Sequence, residues 1–246
     1  MEKIKKLKII AIIPARGGSK RLSRKNILHL DGIPLMIKVI RTLKRSSIFE
    51  EIIVSTEDKE ISDIAKKENV KVHIRPNKLA KDSATVVQTC LDVISKNPCK
   101  IFCCVYATAA LLSASTLQKS LKKFKYNKNI NVLMGVSKYN FRPEQALKIK
   151  NDGFAKMLFP KFNIKNLKNY STTRVSNGTF YWARSEKFLK EKTFYSGKLQ
   201  TFDVAIKEVS DIDTKEDYDN LILRYKKYQF FTKHKHDNYN KRKKTL

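Results

Sequence analysis

The 246-residue sequence contains few residues of the types that build disulfide frameworks or metal clusters. Its four cysteines, Cys90, Cys99, Cys103 and Cys104, form no C-x-x-C pair. Neighbouring residues on a strand point to opposite faces, so Cys103 and Cys104 are poorly placed to form a disulfide. Four histidines, two of them near the C-terminus, are too few for a histidine-rich metal site. We therefore expect reduced, buried thiols in a cytoplasmic protein.

Long apolar runs are also lacking. No run approaches the ~20 residues that a membrane helix needs. The short apolar stretch near the N-terminus runs into Pro14 and Arg16 without the small-residue cleavage site of a secretory signal. We expect neither a membrane span nor a targeting segment. The 41 % of hydrophobic residues still suffice for a real core, in one α/β domain or two small ones.

Acidic residues are scarce, with 23 Asp and Glu against 52 Lys and Arg, for a net charge of +29. Such an excess suggests a nucleic-acid-binding protein. However, the lysines are spread along the whole chain, and no basic stripe alternates with aromatic residues, which favours compositional bias over a specific polyanion site. A non-catalytic basic nucleic-acid-binding module remains the alternative from a different class, and it predicts steeply salt-dependent oligonucleotide binding.

Short apolar runs alternate with amphipathic stretches, which predicts an α/β fold with a mainly parallel sheet. The predicted strands are Lys8–Ile13, Glu51–Ser55, Val70–His73, Lys100–Tyr106, Val132–Ser137, Gln145–Ile149, Gly178–Ala183 and Thr201–Ala205. The predicted helices are Pro34–Arg45, Asp58–Glu68, Ser83–Ser95, Ser115–Phe124 and Thr214–Tyr228. We expect one domain over residues 1–231, with an irregular excursion at about 138–178. A basic, disordered tail is predicted for 232–246.

Glycine is rare, and its spacing excludes two common nucleotide sites. The chain contains no G-x-G, so it has no dinucleotide fingerprint, and the spacing of a P-loop is missing. The pair Gly17-Gly18 instead follows a buried-strand pattern and lies among Arg16, Lys20 and Lys25. Backbone N–H groups and cations in a loop beyond a parallel strand suit a polyphosphate. A glycine turn flanked by ordinary surface lysines is the structural alternative.

Two aspartates near the other end of the chain could hold a metal ion. Asp211 and Asp213 are two residues apart in an extended segment, so their side chains point the same way. They could share one Mg²⁺, which takes carboxylate oxygens and keeps positions for substrate phosphates. Such a pair before a helix is often only a cap, but here Thr214 already provides the cap.

Two further loops carry candidate binding residues. Arg75 follows a predicted strand and could bind a base, with Asp82 and Thr85 lining the pocket, or it could simply pair with Asp82. Asn177 precedes Gly178, a pair that indicates a tight turn, although its amide could also bind a sugar hydroxyl.

Taken together, these segments resemble the acylneuraminate cytidylyltransferase family over roughly residues 8 to 228. The most specific matches are Ile13–Arg21 with Lys25-Asn26, Ile53–Asp58, Arg75-Pro76 and Asp211–Thr214. Within that family, the runs Cys103–Thr108, Pro143–Ile149 and Phe180–Trp182 look closest to pseudaminic acid cytidylyltransferases.

The resemblance implies a Rossmann-like fold of the nucleotide-diphospho-sugar transferase type and a homodimer formed through the excursion. It also implies a Mg²⁺-dependent reaction between CTP and a nonulosonic acid, without a membrane or a specific nucleic acid as partner. The catalytic residues carried over are Arg16, Lys25, Asp211 and Asp213, of which Asp211 and Asp213 hold the metal. The nucleotide-binding residues are Ala15, Arg16, Gly17, Gly18, Ser19, Lys20, Lys25, Asn26, Arg75, Asp82, Thr85 and Tyr106. The sugar-binding residues are Thr108, Gln145 and Asn177.

The chain departs from the family pattern in the segments expected to lie near the sugar. Sialic acid members usually carry Gln-Pro-Thr-Ser-Pro where this chain has Tyr106–Ala110, and pseudaminate enzymes often have alanine at the position of Asn177. Pseudaminic acid is the expected substrate. Enzymes acting on sialic acid, legionaminic acid or 3-deoxy-octulosonate are the alternatives, although the glycine loop fits the last of these poorly.

Overall fold

A computed structural model describes residues 8–139, 143–160 and 173–243, with side chains as far as residue 229. Its strands are β1 Ile9–Pro14, β2 His29–Leu30, β3 Ile33–Pro34, β4 Glu51–Thr56, β5 Lys71–Ile74, β6 Ile101–Val105, β7 Val132–Lys138, β8 Leu147–Ile149, β9 Ala155–Met157, β10 Arg174–Arg184 and β11 Leu199–Asp203. Its helices are α1 Leu35–Ser46, α2 Lys59–Lys67, α3 Val86–Lys96, α4 Ala114–Tyr126, α5 Ser185–Glu191 and α6 Lys215–Lys243.

Seven strands form the central sheet in the order β11-β7-β10-β6-β1-β4-β5. All neighbours pair in parallel except β10, which is antiparallel to both β6 and β7. The carboxyl ends of β1, β4, β5 and β6 therefore meet at one edge, and the beginning of β10 reaches the same edge. The predicted α/β fold with a mainly parallel sheet is confirmed.

Apolar residues fill both faces of the sheet, because helices cover it on each side. Ile13 and Cys103 belong to one buried cluster, while Ile12 and Cys104 belong to the other. This alternation is the period of two expected for a strand buried on both faces. Cys103 and Cys104 thus point apart as predicted, and all four cysteines are free thiols.

Local capping chemistry sets where several helices begin. The Asp58 carboxylate accepts a 2.9 Å hydrogen bond from the Ile61 N–H, so Asp58 caps α2 and is not its first helical residue. Thr85 and Gln88 form a capping box, so α3 begins after Thr85 and not at the predicted Ser83. Pro34 is the extended residue before α1 and not its first helical residue.

The second half departs further from the sequence prediction. The predicted strand Gln145–Ile149 shortens to β8, which pairs with β9 inside the segment expected to be irregular. β10 begins at Arg174, four residues before the predicted start, and its register with β7 shifts between Ser176 and Tyr181. The short helix α5 was not predicted. Residues 140–142 and 161–172 of the predicted excursion lie outside the described residues.

The final helix is longer than the predicted Thr214–Tyr228. Helix α6 continues from Lys215 to Lys243 and does not end at Tyr228. This part of the chain contains neither glycine nor proline, the two residues that interrupt helices most strongly. Within the part of the chain that the structure describes, no helix is both long enough and apolar enough to cross a bilayer.

Candidate active site

The glycine loop leaves β1 at the carboxyl edge of the sheet and packs against the turn between β4 and α2. Ala15 is buried, and its N–H donates to the Ser55 carbonyl at 3.0 Å. The Gly17 N–H donates to Glu57 Oε1 at 2.8 Å. A Cβ atom at Gly17 would collide with the Asp58 carboxylate, so the loop reaches this position only with glycine.

Two cations of the loop share one carboxylate. Asp82 accepts Arg16 Nη1 at 2.9 Å and Lys20 Nζ at 2.6 Å. The hydrogen bond from Lys20, helped by Arg16, lowers the pKa of Asp82. Asp82 thus holds the predicted phosphate ligands in place and does not pair with Arg75. Asn26 is buried and closes the base of the loop, because its Nδ2 donates to the Arg16 carbonyl at 2.9 Å.

The glycine loop and the acidic pair meet in space, although they lie at opposite ends of the chain. Lys25 Nζ lies 2.9 Å from Asp213 Oδ1 and also donates to the Ile212 carbonyl at 3.1 Å. Arg21 Nη2 contacts the same Asp213 oxygen at 2.9 Å. One of the cations predicted to bind phosphates, Lys25, and the neighbouring Arg21 therefore lie against the acidic pair.

The second carboxylate of the pair lies against β10. Gly178 has a φ of +63°, and a Cβ there would lie 2.9 Å from the Asp211 Cγ. Asp211 is partly exposed to solvent, but its carboxyl group is packed against protein. This burial raises the pKa of Asp211, and the charge of Asp213 raises it further. Two crowded carboxylates of this kind are stabilised by a bound cation.

Neither aspartate of the pair caps the helix that follows. The Thr214 hydroxyl accepts the Asp217 N–H at 3.2 Å, and Asp217 Oδ2 accepts the N–H groups of Asp213 and Thr214 at 3.0 and 2.8 Å. Thr214 and Asp217 thus form the cap of α6, as the sequence indicated for Thr214. The carboxylates of Asp211 and Asp213 remain available for another role.

The structure brings together only some of the residues that were predicted to bind the sugar. Asn177 is buried, and its amide is engaged by Ser137 and Thr179. The carbonyl of the buried Thr108 accepts the Ser210 hydroxyl at 2.7 Å, which ties Thr108 to the segment of the acidic pair. Gln145 lies exposed in a 3₁₀ turn of the excursion, and no contact described by the structure joins it to the acidic pair.

The predicted base-binding residues have contacts within the protein. Arg75 is only 5 % exposed, its Nη2 donates to the Ser55 carbonyl at 2.8 Å, and burial lowers its pKa. Thr85 uses its hydroxyl to cap α3. Tyr106 packs edge-on against Tyr181, and burial raises the pKa of Tyr106. These residues line the same edge of the sheet, but their binding roles stay predictions.

Sequence reasoning gave no role to Glu57. Its Oε1 fixes the Gly17 N–H, while its Oε2 is buried without a hydrogen-bond partner among the described residues. Glu57 also provides a compensating negative charge near the buried Arg75. The available signal was its position directly after β4, at the edge where the loops of the site begin.

The acidic pair suits a hard cation that is completed by substrate. Within the described residues, no group of three or more His, Cys, Asp or Glu side chains is arranged to hold a metal ion. Mg²⁺ typically binds one or two protein carboxylates together with substrate phosphates and waters. Asp211 and Asp213, beside cations that would attract a polyphosphate, match that donor set.

The sequence model of the cytidylyltransferase family matches residues 10–241. A pseudaminic acid cytidylyltransferase of Campylobacter jejuni is 30 % identical over 227 residues, which cover 89 % of this chain and 97 % of the relative. A CMP-N,N'-diacetyllegionaminic acid synthase of Legionella pneumophila is 30 % identical over 222 residues, covering 86 % and 94 %.

Among solved structures, a CMP:2-keto-3-deoxy-manno-octonic acid synthetase complexed with CTP has the same fold. Its TM-score is 0.68 at 17 % identity, and the match covers 90 % of this chain and 99 % of the other. The family match covers most of the chain, and two relatives at 30 % identity are covered almost completely. The chain therefore belongs to the cytidylyltransferase family, as a nucleotidyltransferase of the CMP-nonulosonic acid synthetase type.

Proposed function

We propose that this enzyme activates pseudaminic acid with CTP, giving the CMP-sugar and pyrophosphate. The anomeric oxygen of the sugar forms a bond to the α-phosphorus, the bond to pyrophosphate breaks, and the hydroxyl proton passes to solvent. The observation that carries this proposal is the contact between Lys25 and Asp213, because it joins the cationic loop to the acidic pair. The pseudaminic acid cytidylyltransferase relative supports the choice of sugar.

The loop would bind the triphosphate mainly by charge. Arg16 and Lys20 are held on Asp82, and their guanidinium and ammonium groups can turn to the phosphate oxygens when the nucleotide binds. Arg16 can bind two oxygens at once, and Lys20 adds a point charge. These cations would stabilise the negative charge that develops on the departing pyrophosphate, which is the usual means of catalysis in phosphoryl chemistry.

Asp211 and Asp213 would hold the Mg²⁺ ion. When bound, Mg²⁺ neutralises phosphate charge and lowers the pKa of an attacking hydroxyl group. The backbone of Asp213 is fixed by Asp217, and its carboxylate is bound by Lys25 and Arg21, so the group is oriented before substrate arrives. Gly178 leaves room for the Asp211 carboxylate, because a Cβ at position 178 would collide with it.

The assembly and compartment are part of the same proposal. The excursion carries large apolar residues that are mostly exposed, such as Leu147 at 59 %, Ile149 at 63 % and Phe154 at 72 %. Clustered exposed apolar side chains are typical of protein interfaces, and we propose that this surface forms a homodimer. The four free thiols support a reducing, cytoplasmic location.

A substrate panel tests the proposal directly. The protein is incubated with CTP and Mg²⁺ and, in separate reactions, with pseudaminic, legionaminic, sialic or 3-deoxy-octulosonic acid, and CMP-linked products are measured by mass spectrometry. We expect the highest kcat/KM with pseudaminic acid and little product when UTP replaces CTP. A preference for another sugar would contradict the substrate assignment. No product with any sugar, together with tight oligonucleotide binding, would favour the nucleic-acid-binding alternative.

A further inference from the structure

A cavity of about 900 Å³ opens outside the candidate active site. It lies between the end of α1, the loop after β6, the 3₁₀ turn that precedes the acidic pair, and one face of α6. Its lining includes Arg45, residues 110–113 and 206–208, and Arg224, Tyr225 and Lys227. None of these residues was predicted to bind nucleotide, sugar or metal. We call this space the α6 cavity, and its volume is within the range of small-molecule sites.

The lining of the α6 cavity combines positive charge with apolar surface. Four of its side chains are cations, namely Arg45, Lys207, Arg224 and Lys227, and Glu208 is the single acid among the lining residues. The Glu208 carboxylate accepts the Ser113 N–H at 3.0 Å. The apolar part comes from residues 110–112, Ile206 and the ring of Tyr225. This combination suits an anion with an aromatic or apolar body.

The two segments that line the α6 cavity also run into the candidate active site. Residues 110–113 follow Thr108, and residues 206–208 precede Asp211. The segments are joined at both ends, by the Ser113 N–H to Glu208 and by the Ser210 hydroxyl to the Thr108 carbonyl. A group that fills the cavity would therefore contact the two segments that lead to the acidic pair.

An apolar layer separates the cavity from the pair. Ile212 lies between the two aspartates, is fully buried, and belongs to one cluster with Ala110, Leu111 and Tyr225. Close-packed side chains of this kind transmit a displacement from one side to the other.

We propose that the α6 cavity binds a small organic anion with an aromatic or apolar body, and that its occupation is coupled to nucleotide binding at the acidic pair. The coupling rests on the proposed function, whereas the binding site does not. Because coupling between two sites is reciprocal, the anion and CTP change each other's affinity by the same factor.

The probe for the site is 1-anilinonaphthalene-8-sulfonate, titrated by fluorescence into the full-length protein with saturating CTP and Mg²⁺. Reversing two charges in the double variant Lys207→Glu/Lys227→Glu should weaken probe binding at least about 10-fold, because charge-assisted contacts are lost. The matched control is Lys122→Glu/Lys125→Glu, which reverses two lysines beside Leu121 and Tyr126 in a surface depression on α4. The control should change the affinity less than about 2-fold, as expected for surface charges outside the site.

A second variant fills the cavity without touching a buried residue. Ile206 is 70 % exposed, so Ile206→Trp should fold and still exclude the probe. The proposed site would be overturned if the charge-reversal variant and its control weakened probe binding equally. It would also be overturned if the probe bound Ile206→Trp as tightly as the unchanged protein.

Calorimetry tests the coupling. The Kd for CTP with Mg²⁺ should change at least about 3-fold when the probe is present, with the same factor for the probe when CTP is present. An unchanged CTP affinity in the presence of bound probe would overturn the coupling. If the protein binds no CTP at all, the proposed function fails, while the probe titration without nucleotide still decides whether the cavity is a binding site.

Discussion

At the scale of single residues, Asp213 is held by several neighbours at once. It contacts Lys25 and Arg21, and its own backbone N–H is held by Asp217. A carboxylate placed between two cations can exchange them for a metal ion and phosphates without rebuilding its surroundings. The same geometry predicts that its charge, and not only its shape, is required.

Asp213→Asn should therefore lower kcat at least about 10²-fold, the usual cost of losing an electrostatic group that acts in the transition state. Pyrophosphate release is measured with CTP and the preferred sugar. Asp219→Asn is the control, since Asp219 is exposed on α6 and, among the described residues, pairs with Lys215 one turn away. Near-normal turnover in Asp213→Asn would remove the proposed metal role.

Gly178 offers a second test at the residue scale. Gly178→Ala costs about 1–2 kcal/mol of stability for a left-handed non-glycine residue, and its Cβ would also displace Asp211. Gly153→Ala is the matched control, because Gly153 has a φ of +84° but open space around it. We expect both variants to lower the melting temperature and only Gly178→Ala to lose turnover.

The comparison between these two glycine variants separates the effect of displacing Asp211 from the effect of backbone strain. Equal loss of turnover in both variants would show that strain alone is responsible. Full activity in Gly178→Ala would show that the position of Asp211 against β10 is not required.

At the scale of elements, the first turn of α6 contributes to the stability of the fold and also holds the backbone of Asp213. Asp217 is partly buried, which opposes ionisation, but hydrogen bonds from Asp213 and Thr214 lower its pKa overall. A lowered pKa in the folded state means that the stabilisation is complete above the unfolded pKa of about 3.9. It is lost as the pH falls through the lower, folded value.

Asp217→Ala should therefore cost about 1 kcal/mol near pH 6, as for the loss of a helix cap. The difference from the unchanged protein should shrink as the pH falls below about 4, where the unfolded state takes up the proton, and should be lost below the lower, folded pKa, where the carboxylate is protonated in both states. Thermal unfolding across this pH range measures the effect, with Asp219→Ala as the control on the same helix. A difference that is independent of pH would assign the cost to packing and not to the charge.

The elements also show how far local sequence information reaches. The glycine loop and the Thr214 cap were predicted because each depends on residues a few positions apart. The position of Asn177 depends on a register shift in β10, and that of Gln145 depends on the β8–β9 hairpin. Both positions follow from pairing between distant segments. Such pairing cannot be predicted from the residues nearby, because these segments show no clear hydrophobic periodicity. The link from Glu57 to Gly17 is equally non-local.

At the scale of the whole molecule, parallel strand order explains why distant motifs meet. Loops that follow β1, β4, β5 and β6 all emerge at one edge, so motifs spread over the first half of the chain converge. The acidic pair reaches this edge from the second half, held by Ser210 on Thr108. The net charge of +29 belongs to the whole chain and does not locate the site, whose cations are paired with Asp82 and Asp213.

The last prediction concerns assembly. If the excursion forms the proposed homodimer, then placing charge on its apolar surface should separate the subunits, because a buried charge without a partner is costly. Sedimentation velocity at micromolar concentration should show a dimer for the unchanged protein and a monomer for Ile149→Glu/Phe154→Glu. Tyr126→Glu is the control, since Tyr126 is 92 % exposed on α4, away from the excursion, and should leave the dimer intact. A monomer without any substitution, or a dimer that survives both charges, would mean that this surface does not join two subunits.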